Sequence, residues 1–216
     1  MVGLLAGAFP SPGLIARRTN DADAGIPLEL AGTGAVHEAL RAAGYEPETS
    51  NRYVRGKGYD QQVIDLLVPT LQAQFTEREE AGGRVFNGMP GLHLAFGSRI
   101  TIEAHLVLQD GMELLSEVPL PSVEAAVVLK AYAWHGRGVQ TQKDTVDISN
   151  LLHILDEHGP DAVVGWALDR GGASGARGDA VALLLELAGR ARSGRATPPA
   201  VDARKLEVLL RRWVKA

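Results

Sequence analysis

The chain has 216 residues and a formal net charge of -4, with 45% hydrophobic and 22% charged residues, a globular composition that excludes a disordered or fibrous chain. It contains no cysteine, which removes a disulfide framework, a thiolate zinc site and a cysteine nucleophile together and suits a reducing cytosol. No stretch approaches the roughly 20 apolar residues that cross a bilayer, and residues 1–8 are apolar without the basic leader of a secretory signal, so a soluble, cytoplasmic protein is expected.

The first half reads as mixed strand and helix, the second as mostly helix. After a loop at Pro10, Pro12 and Gly13, residues 21–27 form a short extended run. Thr33 is placed to cap a helix ending near Ala43, with Gly44 as its stop. Residues 52–55 and 63–68 read as strands, the second strongly apolar and closed by Pro69. Gly82-Gly83, Asn87-Gly88 and Pro90-Gly91 read as turns. Apolar side chains alternate from Ile100 to Leu106 as in a strand; Asp110-Gly111 signals a hairpin turn and residues 113–118 the returning strand. Pro121-Ser122 opens a long helix to about His135. A second helix starts near Lys143, and more follow from Asp161, Asp179 and Asp202. The expected architecture is α+β, with a small mixed β-sheet and flanking helices over residues 1–120 and a helical region over 121–216. Eight basic residues between Arg190 and Lys215 face only Asp202 and Glu207, and such a basic tail is compatible with a nucleic-acid contact or with a solvated helix end.

Four places carry charge that needs an explanation. In Arg17-Arg18-Thr19-Asn20-Asp21-Ala22-Asp23, strand geometry puts Asp21 and Asp23 on one face. Like charges so close repel unless a cation lies between them, and hard carboxylate oxygens suit magnesium; a polar turn before a strand would explain the same residues. Asp65 stands among five apolar strand residues, where burial is costly without a cation or donors, and it is either a third carboxylate beside Asp21 and Asp23 or a solvent-facing strand position. Lys130 is the one charge in residues 125–134 of a helix apolar nearly all round, so its ammonium either meets a carboxylate or phosphate or snorkels outward. Asp144 and Asp147 lie in a first helical turn, where the dipole favours them and where one of them can pair with Lys130. Arg137 and Lys143 flank the loop between those two helices, within reach of a phosphate.

In that order, Arg17 to Asp23, then Ile64-Asp65-Leu66-Leu67, then Lys130-Ala131-Tyr132-Ala133 through Arg137 to Lys143-Asp144 and Asp147, the chain resembles the nucleotidyltransferase toxins of the AbiEii/AbiGii (MenT-like) class. Those carry R-x-T-x-D-x-D, an I-D-L-L-type strand and a K-x-x-A…R…K-D-x-x-D helical pair. The likeness spans about residues 17–152. It implies a nucleotidyltransferase core that moves a nucleotidyl group from a nucleoside triphosphate to an acceptor, with Mg2+, in a one- or two-metal site, held by Asp21, Asp23 and Asp65. Asp65 would alternatively accept the proton of the attacking hydroxyl. The resemblance further implies that Lys130, oriented by Asp144 or Asp147, contacts the phosphates, with Arg18, Thr19, Arg137 and Lys143 beside it. The family's G-[GS] turn, which binds triphosphate through backbone amides, corresponds to the region of Gly3. By the same likeness the acceptor is RNA, most readily the 3′ end of a tRNA, in a toxin–antitoxin setting with an antitoxin protein as partner. Two other functions fit these residues: a non-catalytic interaction or regulatory protein of the same fold, and a nucleotidyltransferase acting on protein or a small molecule. The six histidines show no H-x-x-x-H pair and there is no G-x-S-x-G turn, which disfavours a zinc or serine hydrolase.

Overall fold

The computed structural model describes residues 1–16, 21–58, 61–107, 111–137, 142–194 and 197–216. The chain is α+β and divides into two compact units, Arg17–His93 and Met1–Ala16 with Leu94–Ala216. These units do not follow the change from sheet to helix at residues 119–121, because the first helix, α1 (Val2–Ala8), and a β-ribbon group with the C-terminal helices.

Arg17–His93 is built on a mixed sheet of β1 (Asp21–Gly25), β2 (Glu46–Pro47), β3 (Arg52–Arg55), β4 (Gln62–Pro69), β5 (Thr76–Ala81) and β6 (Arg84–Met89). β4 is its centre. One edge pairs in parallel with β1 over Val63 to Leu67; the other takes β3 antiparallel over Gln62 to Asp65 and then β6 in parallel from Leu67 to Pro69. Period-2 alternation sends Leu66 and Val68 of β4 to one face, where they join Ile26, Tyr53 and Phe86 in a buried cluster. Helices α2 (Leu28–Thr33) and α3 (Ala35–Ala42) cover that cluster with Leu28, Ala31, Val36 and Leu40. The helix expected from Thr33 to about Ala43 is α3, and α2 ahead of it is an element not anticipated from the sequence. Gly34, at φ +74°, separates the two, and the Thr33 hydroxyl accepts from Ala35 N–H at the junction. His37 Nδ1 lies 3.0 Å from the buried Tyr53 hydroxyl, which also accepts from Arg84 at 2.8 Å, so α3 is fastened to β3 and β6.

Asn87-Gly88 is not a turn but part of β6. Glycine is needed there for packing, because a Cβ on Gly88 would come within 2.5 Å of Glu79 Cγ. Gly82-Gly83 is the β5–β6 turn, and Gly82 carries the tightest constraint in the sheet: a Cβ would sit 2.1 Å from Gly32 O of α2.

In the second unit, β7 (Arg99–Val107) and β8 (Glu113–Pro121) form the expected hairpin with Arg99 opposite Pro121; Asp110 of its turn lies outside the described residues. A short α4 (Leu92–Gly97) precedes it. Ser122 closes the ribbon by donating its N–H to Ser98 O and caps α5 (Val123–Arg137) by accepting from Ala125 N–H. Ten of the fifteen α5 residues are buried, which makes it the central helix of the bundle. It is joined by α6 (Lys143–Ala162), α7 (Gly175–Arg192) and α8 (Ala203–Trp213). Asp161 opens no long helix: α6 is kinked at Gly159, φ +78°, residues 160–162 form only a short helical segment beyond it, and an irregular segment anchored by buried Trp166 and Leu168 follows. Nor does Asp179 open a helix; α7 begins at Gly175, and Asp179 accepts the Tyr132 hydroxyl at 2.8 Å. Asp202 caps α8 through Lys205 N–H. No described helix is long and apolar enough to cross a membrane.

The N-terminal segment runs along α6. Phe9 meets the His158 ring, His158 Nε2 lies 3.0 Å from Pro10 O, and Gly13 abuts His153. The buried Asn150 side chain then takes both backbone groups of Ile15, accepting from its N–H and donating to its carbonyl, each at 2.9 Å.

Two outcomes follow from this packing. Gly82→Ala adds backbone strain at φ +57° and a clash with Gly32, and should cost more than about 2 kcal/mol by urea denaturation. Gly83→Ala, with open space around its Cβ, should cost about 1 kcal/mol. Burial first, and then Lys205, hold His153 below the ordinary 6.5, against the opposing pull of Asp156 and Asp202. The folded state therefore keeps the ring neutral while the unfolded chain protonates it, so this contribution is whole above pH 6.5 and is lost as pH falls through the folded value. His153→Gln should flatten the stability slope as pH falls below about 6.5.

Candidate functional site

The carboxylate side of the sheet is the face turned away from α2 and α3. Asp21 and Asp23 alternate with Ala22 and Ala24 along β1, and Asp23 stands directly opposite Asp65 in the parallel β1–β4 register. Paired residues on neighbouring strands lie about 4.8 Å apart and point the same way. The third carboxylate is thus beside the first two, on one face. On the other edge of β4, Arg52 stands opposite Asp65. One row across the sheet reads Asp23, Asp65, Arg52. Gly25 ends the carboxylate side of β1, and Leu92 takes the room a side chain would need, with 2.8 Å left for a Cβ.

Asp21, Asp23 and Asp65 lie together on this face, and Arg52 is the cation paired with Asp65. Asp65 is 17% exposed. Its carboxyl is pushed above the ordinary range, first by burial and then by the charges of Asp23, Asp21 and Glu48, while Arg52 pulls it down. Arg52 Nη1 lies 3.4 Å from Asp65 Oδ2, and Arg52 Nε lies 3.0 Å from Glu48 Oε2. An all-carboxylate set on one face is the donor chemistry that magnesium takes, and the repulsion raising Asp65 is what a divalent cation relieves. Among the described residues, no three His, Asp or Glu side chains converge on a point as metal ligands do. Asp65 is engaged by Arg52 instead.

The second cluster lies in the helical unit. Lys130 is 12% exposed in the middle of α5, and its Nζ lies 2.7 Å from Asp147 Oδ2 and 3.4 Å from Asp144 Oδ1. The approach to Asp147 is off the line of a hydrogen bond, so charge holds that contact. Arg137 Nη1, at the end of α5, reaches Asp144 Oδ2 at 3.5 Å. Both carboxylates are fully buried, and both engage Lys130. Two cations answer two anions, which is the condition for charges to persist in a packed interior. Arg137 itself is 42% exposed, so it is the cation of this cluster that solvent and solutes reach.

The other residues singled out from sequence are placed as follows. Gly3 lies within helix α1 and not in a turn; the run of apolar residues around it winds as a helix, which removes the turn geometry expected of it. Arg18 and Thr19 lie outside the described residues. Lys143 is the half-buried first residue of α6. In the basic tail, Arg190 pairs with Glu186, Arg211 with Glu207, and Lys205 and Arg212 with Asp156. Half of the tail's positive charge is spent within the fold, leaving Arg192, Arg204 and Lys215 exposed; Arg195 lies outside the described residues. Sequence reasoning did not find Arg52 or Glu124. The signal for Arg52 is an opposite charge at matching period-2 positions of two consecutive strands, which is visible once their register is known. Glu124 is an acid in the apolar first turn of α5; buried, it accepts from Ala167 N–H and from Arg177 Nε and ties α5 to α7.

No protein-family model, curated protein or solved structure matches the chain. The chemistry of its side chains is therefore the ground for a function.

Lys130→Met leaves two buried carboxylates short of their shared cation and should cost about 3 to 5 kcal/mol in urea or thermal denaturation. Lys130→Arg, which keeps the charge, should cost clearly less.

Proposed function

We propose that this chain is a magnesium-dependent nucleotidyltransferase that moves a nucleotidyl group from a nucleoside triphosphate to an acceptor hydroxyl. One observation carries the reading: Asp23 stands opposite Asp65, with Asp21 on the same face. Asp21 and Asp23 would hold the metal, with Asp65 beside them as a further ligand or as the base. A divalent cation bound there supplies neutralising charge to the triphosphate. A carboxylate with raised basicity, as at Asp65, accepts the proton of an attacking hydroxyl more readily.

The helical cluster has a different part in this reading. Lys130 is saturated by Asp144 and Asp147 and fixes where α5 and α6 meet. Arg137 is the exposed cation that the same cluster holds in place, and it is the motif likeness that assigns it, with Lys143, to phosphate oxygens. For the acceptor, the motif likeness favours RNA, a tRNA 3′ end in particular, with the chain as the toxin of a toxin–antitoxin pair and an antitoxin as its partner. A second reading, transfer to protein or a small molecule, is favoured by the internal pairing of the basic tail, which lessens its capacity for phosphate contacts.

Incubation with each labelled nucleoside triphosphate, magnesium and total tRNA tests both. Label in RNA that disappears with Asp21→Asn/Asp23→Asn is the expected result; label in the protein fraction instead would favour the second acceptor class. Circular dichroism and urea denaturation of the variant establish that it is folded. Absence of transfer to either fraction, together with absence of nucleotide binding by calorimetry, would overturn the catalytic reading.

A further inference from the structure

We propose that Arg52 is a built-in competitor for the divalent cation: its guanidinium neutralises Asp65 until metal arrives, and metal binding takes Asp65 over from it. The inference rests on the carboxylate face being the metal site and concerns what controls entry to that site. Arg52 and Asp65 are register partners on β3 and β4, so backbone pairing holds the guanidinium beside the carboxylate. Asp65 stands between Asp23 on one side and Arg52 on the other. It has two neighbours of opposite kind, and its oxygen Oδ2 is committed to the cationic one at 3.4 Å. That commitment accounts at Asp65 for the lack of convergence among the three carboxylates.

Glu48 adjusts the competition. It holds Arg52 Nε at 3.0 Å, while Asp65 is met by Nη1, and it is itself more than half exposed. The guanidinium is shared between two carboxylates, so weakening one partner strengthens its hold on the other. Arg52 is 42% exposed, which gives it water to move into when Asp65 changes partner. The swap exchanges one charge contact for another, with no bond made or broken.

The test is Mn2+ binding to the full chain, without nucleotide, followed by calorimetry and by the loss of free-ion resonance signal. Arg52→Ala should tighten Mn2+ roughly threefold to fivefold, the worth of a half-exposed ion pair. Glu48→Gln should weaken it in the opposite direction. A general change of surface charge would act equally with or without Asp65; local exchange would not. In an Asp65→Asn background, the Arg52→Ala gain should therefore vanish. Circular dichroism of each variant establishes that it is folded, and Arg52→Gln serves if Arg52→Ala is not. If native protein binds Mn2+ through Asp21 and Asp23 but Arg52→Ala leaves affinity unchanged, or its gain survives in Asp65→Asn, the competition is overturned while the metal site stands. If neither native protein nor Arg52→Ala binds Mn2+, both this inference and the metal-dependent reading fall.

Discussion

The β1–β4 register is the constraint on which the carboxylate face depends. A strand's side chains alternate, so a slip of one residue would carry Asp65 from beside Asp23 into the helix-covered cluster and bring Leu66 out of it. Such a slip would bury an ionised carboxylate among Ile26, Tyr53 and Phe86, at a cost of several kcal/mol. The same slip would expose Leu66 and Val68. The hydrophobic side of β4 thus enforces the polar side, and the acids stand together because the core cannot form any other way. Pairing on both edges of β4 reinforces this, since β3 and β6 would lose their own registers if β4 moved.

The two charged clusters represent opposite solutions to one electrostatic problem. In the helical bundle, Lys130 and Arg137 answer the buried carboxylates of Asp144 and Asp147. That cluster holds a structure together, and removal of one member damages the fold before it reports on anything else. On the sheet, Asp65 and Glu48 share Arg52, and the charges of Asp23, Asp21 and Glu48 make Asp65 harder to ionise. Groups that repel each other in the resting protein are the ones expected where a ligand later supplies the missing charge. The sheet face is accordingly where substitution can separate function from stability.

Much of this was legible in the sequence where periodicity and punctuation agreed. The strands over 52–55 and 63–68, the hairpin after Arg99, the Ser122 start of α5 and the Asp202 cap all rest on local rules that tertiary structure left in force. The side-by-side placement of Asp21, Asp23 and Asp65 was readable as an alternative, but its register was not, because pairing partners are non-local. Failures came where packing overrode local signals. Asn87-Gly88 looked like a turn because glycine usually means backbone freedom, whereas here it means crowding by Thr70, Thr76 and Glu79. Asp179 looked like a cap and is instead the hydrogen-bond partner of Tyr132, whose hydroxyl is held protonated well above its ordinary range by burial and by that carboxylate. Arg52 went unnoticed because an arginine on a short strand is unremarkable until its neighbour across the ladder is known.

The Asn150 clip on Ile15 closes a separation of 135 residues, and this has a consequence for how the protein is made. The unit Arg17–His93 is one uninterrupted stretch, so all of its partners have emerged once that stretch leaves the ribosome. The first sixteen residues belong to the other unit and must wait for α6, the helix that carries Asn150, His153 and His158. Domains generally fold as units in the order in which they are synthesised, and closing so long a loop costs little extra entropy when the intervening chain is already compact. The sheet is thus positioned to form first, while the apolar helix α1, made before it, still waits for α6. Until α6 is finished, Val2 and Leu5 of α1, both buried in the finished fold, remain without the helix they pack on, and that interval is when the nascent chain has most need of a chaperone.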